Sequence, residues 1–110
     1  MHAILLLLLG VLALAAVAQA QEGGEPRRGL AVARAHCAAC HGVVRGDSTS
    51  LNPLAPPFQR IATVPGMTPL ALNHLMHSAH RTMPLIILPP EEQWHLVAYI
   101  MSLRGGSLRE

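Results

Sequence analysis

The reactive side chains of this 110-residue chain concentrate in one stretch, His36-Cys37-Ala38-Ala39-Cys40-His41-Gly42. It holds the only two cysteines, three positions apart, with a histidine directly after the second. Three chemistries use such a group. A disulfide or redox dithiol would use both thiols, but it belongs after a strand and inside a sheet, and no stretch here reads as a convincing strand. A zinc site wants four ligands, usually from two separated pairs. His74, His77, His80 or His95 could complete such a set, yet adjacent Cys40 and His41 fit a tetrahedron badly. Covalent attachment of a c-type haem uses every residue of the motif: the thiols add across the two vinyl groups, and the next imidazole becomes the proximal iron ligand. The motif therefore predicts one covalent haem c on Cys37 and Cys40, with His41 on the iron.

A second axial ligand must come from another segment, to reach the opposite haem face. Met67, Met76, Met83 and Met101 are candidates, as are the other histidines. Met101 lies inside an apolar helical stretch and Met76 shares helical spacing with Leu72, so both read as core packing. Met67 sits at a turn. Met83 lies between two predicted helices, and Pro84 behind it fixes the backbone and removes a donor. Met83 is the favoured ligand and His80 its main rival; His74, His77 and His95 read as solvated helix histidines.

The rest of the chain must position these groups with little aromatic material: one Phe, one Trp and one Tyr. Small domains short of core often depend on a cofactor, and a flat apolar macrocycle would fill that role. The charge is mild, +2, and all eight basic residues are scattered arginines, which gives no stripe for nucleic acid. Residues 4–17 form an uncharged apolar run ending in Ala18-Gln19-Ala20, so residues 1–20 read as a signal peptide cleaved after Ala20, with the mature protein in the periplasm. The run is shorter than the roughly 20 residues of a comfortable membrane span. Retained as an anchor, it would be the one predicted membrane contact.

Residues 21–26 form a polar lead-in, residues 27–104 a single domain, and 105–110 a tail. A helix is predicted from Arg27 to about Cys37, a short one over Phe58–Thr63, one from Pro69 behind an N-capping Thr68, and a last one from near Pro90 to Gly105-Gly106. Glu91 and Glu92 suit the first turn of that last helix, which is apolar nearly all round and should be mostly buried. Between them, residues 42–66 are rich in Gly and Pro without helical period, as expected of a loop that serves a site. The run Leu85-Ile86-Ile87-Leu88 reads as packing under the haem; exposed, it would mark a permanent interface.

"HCAACHG", "APPF" and "HRTMP…AYIMSLR", in this order, resemble class I c-type cytochromes, the small monohaem kind of bacterial periplasm, over nearly all of residues 27–104. The resemblance implies an all-α cytochrome c fold of three to four helices around one haem, with the first and last helices crossing. It implies that Gly29, eight residues before the first cysteine, lets those helices approach, with Tyr99 as the crossing aromatic and Leu96 nearby. It gives Pro56, or failing that Pro57, as the carbonyl that accepts from the proximal histidine, and it matches Met83-Pro84 to the distal ligand. Ala33 stands where an aromatic is common, which implies a looser crossing, and there is no docking ring of lysines. Saturated His/Met ligation implies a non-enzymatic one-electron carrier cycling Fe(III)/Fe(II). It would meet redox partner proteins, a dehydrogenase as donor and an oxidase or other acceptor, through a haem edge near Cys37 and Cys40. The alternative is a haem c subunit of a periplasmic dehydrogenase or oxidase complex. A gas sensor or peroxidase would need an open iron position, and no distal acid–base pair is evident.

Overall fold

A computed structural model of the chain describes residues 1–10, 23–78 and 82–108. Residues 2–10 are helical with exposed side chains. Among the described residues no helix is long and apolar enough to cross a membrane. The predicted cleavage site after Ala20 and the rival ligand His80 lie outside the described residues.

The domain is all-α. Its helices are α1 (Pro26–His36), α2 (Phe58–Ala62), α3 (Pro69–Met76) and α4 (Pro90–Ser102), and α4 runs on into a 3-10 segment, Leu103–Leu108. Helices α1, α3 and α4 each carry proline in the first turn, where its missing N–H would have no intrahelical partner. The Thr68 hydroxyl caps α3 by accepting from the Ala71 N–H at 3.1 Å.

Helices α1 and α4 cross in backbone contact. A Cβ at Gly29 would run into the His95 carbonyl oxygen and Tyr99 Cβ, so only glycine permits the approach. Ala33, one turn on, is fully buried. The crossing is therefore tight, contrary to the looser one that Ala33 implied: a small side chain here brings the helices together. The lead-in also docks. Gly24, with φ of 59°, passes so close to the Trp94 carbonyl that a side chain would collide with it.

His95 corrects its sequence assignment. Its side chain is only 12% exposed, within the crossing. Its Nδ1 accepts the Glu25 N–H at 2.7 Å, and its Nε2 lies 3.6 Å from Glu91. It bonds the start of α1 to α4.

The end of α4 differs from expectation too. Helical turns continue as 3-10 through Gly105 and Gly106. Arg104 supplies a reason, donating to the Met67 carbonyl at 3.0 Å and the Val64 carbonyl at 3.3 Å, which ties this segment to the chain ahead of α3. The core behind these helices is one apolar cluster that includes Phe58, Met67, Leu72, Leu96, Ile100 and Leu103.

Candidate functional site

The cysteine motif starts where α1 ends. The Cys37 N–H still donates to the Ala33 carbonyl at 2.8 Å, so Cys37 closes the helix. The chain then makes one more turn: Cys40 and His41 both donate their N–H to the Cys37 carbonyl, at 3.1 and 2.9 Å. A three-residue separation within such a turn brings both sulfurs to one side. Both cysteines are free; Cys37 is buried and Cys40 half-buried. Burial pushes the Cys37 thiol up to about 11, so it stays protonated at neutral pH. Among the described residues no three His, Cys, Asp or Glu side chains converge as metal ligands.

His41 is held by one ring nitrogen. Its Nδ1 lies 2.7 Å from the Pro56 carbonyl oxygen. A carbonyl only accepts, so Nδ1 carries the proton and Nε2 keeps a lone pair for a metal. The Pro57 carbonyl is otherwise engaged, accepting from Arg60 and Ile61 at 3.0 and 3.2 Å as α2 begins. The Phe58 ring lies 5.2 Å from the imidazole, tilted by 47°.

The loop that carries Pro56 is a bonded strap. Gly42 donates to the Ser50 hydroxyl at 2.8 Å and accepts from the Phe58 N–H at 2.8 Å. Asn52 donates to the Cys40 carbonyl at 3.1 Å, and Gly46 to Gln59 Oε1 at 2.7 Å. Gly42 follows the histidine for a spatial reason: a Cβ there would strike the Thr49 carbonyl and Asp47. Two further bonds fasten the strap to α4. The buried Tyr99 hydroxyl donates to the Val43 carbonyl, and Arg45 donates to the Ser102 carbonyl at 3.0 Å.

Met83 is half-buried in the connection between α3 and α4. Beyond it the apolar run alternates. Leu88 is buried and Ile86 packs on the core, while Leu85 and Ile87 are 60% and 85% exposed. The other candidate methionines pack: Met67 is buried, and Met76 and Met101 lie partly buried against the core.

Three contributors escape a reading by motif: the Tyr99 hydroxyl, His95, and Gln93, the one polar residue among the buried positions of the described chain. Gln93 had a visible signal, a polar side chain on a helix that is otherwise apolar at its buried positions.

Two neighbouring thiols, an imidazole with one nitrogen tethered and the other available, and an apolar surround form a donor set that suits haem. A family model described as "Cytochrome C oxidase, cbb3-type, subunit III" matches residues 24–100. The chain belongs to this family of cytochrome c domains. As a c-type cytochrome it is a haem-based electron-transfer module, not itself catalytic, and its partners are redox proteins. The strandless helical architecture of the described residues agrees with a cytochrome c fold. No curated protein and no solved structure matches this cytochrome.

Proposed function

We propose that this cytochrome is an exported, periplasmic carrier of single electrons, built on one haem c. Cys37 and Cys40 would each add their S–H across a vinyl group to give thioethers, and His41 Nε2 and the Met83 thioether would be the axial ligands. Haem supplies the one-electron Fe(III)/Fe(II) couple. The observation that carries this reading is the 2.7 Å bond from His41 Nδ1 to the Pro56 carbonyl beside two free thiols. That bond fixes the ring plane and raises the basicity of Nε2. The strap from Gly42 to Pro57 keeps the Pro56 carbonyl in place. With the Met83 thioether as the second ligand, the haem would have no exchangeable position and its reduced state would be favoured.

Optical spectra of protein from cells that mature c-type cytochromes test this. A low-spin spectrum with a weak far-red Met-to-Fe(III) band is expected, with haem that stays on the chain in denaturant. Met83→Ala should keep the haem and lose the band. Haem that washes off in denaturant, or a band that persists in the Ala variant, would overturn the assignment.

A second reading has its own support. Leu85 and Ile87 stand exposed beside Met83, and the family description names a subunit of an oxidase. These favour a haem subunit seated permanently in a complex. Purification without detergent or partner separates the two: a carrier is recovered as a soluble monomer, and a subunit co-purifies with a larger assembly unless Leu85 and Ile87 are changed to serine.

A further inference from the structure

We infer that His95 is an acid-sensitive latch: neutral, it caps the start of α1 and pins the lead-in to α4; protonated, it releases both. Glu25 is the N-cap of α1, and its side chain makes no capping bond. In a capping box the N-cap N–H is satisfied from within the helix, by a Glu or Gln three positions on. Here that position is Arg28, which has no acceptor. The acceptor comes from α4: the Glu25 N–H donates to His95 Nδ1 at 2.7 Å. The same bond holds the lead-in down, because Gly24, the residue before, lies against the Trp94 carbonyl. None of these residues takes part in the proposed haem ligation, so the latch stands apart from that reading.

An imidazole accepts at Nδ1 only while it is neutral, with its single proton on Nε2. That nitrogen is buried and has no hydrogen-bond partner among the described residues. A second proton must go on Nδ1, where it would meet the Glu25 N–H, donor against donor. The bond is then lost and the N-cap N–H is left unpaired. The charged groups around the ring do not make this good. Glu91 lies 3.6 Å from Nε2 and would attract an imidazolium, but its carboxylate is exposed, where an ion pair contributes little. Arg28 of α1 lies 3.7 Å from Glu91 and 3.2 Å from the Glu25 carboxylate, so both acids already face a cation. Glu92, three positions before His95 on α4, has no ion pair or hydrogen bond to it among the described residues. The Tyr99 hydroxyl, one turn beyond, donates to the Val43 carbonyl. Protonation thus trades a direct hydrogen bond for a solvent-screened attraction, and it frees the junction of the lead-in with the domain at Gly24 and Glu25.

The test follows solvent exchange of the Glu25 amide by NMR, relative to an unstructured chain at the same pH. It uses isotope-labelled, haem-loaded protein between about pH 7.5 and about pH 5, the span over which an ordinary imidazole titrates. Protection of that amide should fall about fivefold on acidification, the weight of one hydrogen bond. The amides of Leu96 and Ile100 in the body of α4 and the haem spectrum should hold steady. His95→Asn sets a non-titrating Oδ1 close to the place of Nδ1, and its Glu25 amide should stay protected throughout. Wild-type protection that holds or rises on acidification overturns the inference, as does an equal fall in His95→Asn. Should His95→Asn fail to accumulate, Glu91→Gln removes the carboxylate facing Nε2, and the fall should persist. A fall that disappears in Glu91→Gln would mean that Glu91 and not His95 is the titrating group, and that also overturns the inference.

Discussion

The two sides of the candidate haem site are built on different principles. The His41 side is fastened residue by residue. Backbone and side-chain bonds tie Cys40, Gly42, Val43, Arg45 and Gly46 to the strap, to α2 or to α4. The Met83 side, among the described residues, is held by packing: Met83 is half-buried, Leu88 is buried and Ile86 packs on the core, while Leu85 and Ile87 stand exposed. A ligand fixed locally can lose one bond and stay in place. A segment held by packing shifts when that packing changes. The cytochrome thus fastens the His41 side by hydrogen bonds and the Met83 side by apolar packing.

The largest effect should come from deleting the proposed ligands. His41→Ala should abolish accumulation of low-spin haem protein, whereas Met83→Ala should leave haem attached and the iron open to imidazole; equal loss in both, seen by haem-stained gels and spectra, would break the contrast. Next is the crossing on which both halves rest. Gly29→Ala forces a methyl into the His95 carbonyl, and overpacking of this kind should cost about 3 kcal/mol in thermal or denaturant unfolding. Because α1 leads to His41 and the Met83 segment leads into α4, the far-red band expected of Met83 ligation should weaken as well.

Smaller effects separate the halves again. Ser50→Ala removes one bond of the strap, at 2.8 Å from the Gly42 N–H. It should lower stability by about 1 kcal/mol, read as a drop in Tm, with no change in imidazole affinity. The smallest effect is confined to alkaline solution. Burial raises the Tyr99 phenol above its ordinary value of 10.0, with Asp47 adding to the rise while Arg45 and Arg34 oppose it. Its folded pKa exceeds its unfolded one, so its stabilisation is complete below pH 10 and is lost as pH rises through the folded value. A phenolate cannot donate to the Val43 carbonyl. Tyr99→Phe should therefore be less stable than wild type at neutral pH, and the gap should narrow above pH 10 in a Tm-against-pH series. A gap that widens there would mean that the hydroxyl plays no such part.

Much of this was legible in the chain. The four helices begin where proline, threonine and paired glutamates place them, and Cys37, Cys40 and His41 adjoin because they are neighbours in sequence. What stayed illegible depended on distant partners. The strap over 42–57 looks irregular because its bonds run between side chains and main chain, which leave no period. His95 looked like a surface histidine because nothing local shows that Glu25 will approach it. The glycine pair at 105 and 106 reads as a stop, yet Arg104 fastens the turns that pass through it.

The sequence by itself determined the local chemistry of this cytochrome: the cysteine spacing, the adjacent imidazole, the helix starts and the all-α class follow from short-range geometry and capping. Only the tertiary structure decided which proline carbonyl meets His41, how closely α1 and α4 cross, which residues of the 85–88 run face outward, and that a buried glutamine of α4 bonds Asn73 of α3. Those depend on segments far apart in the chain, and their contacts exist only once the helices have packed.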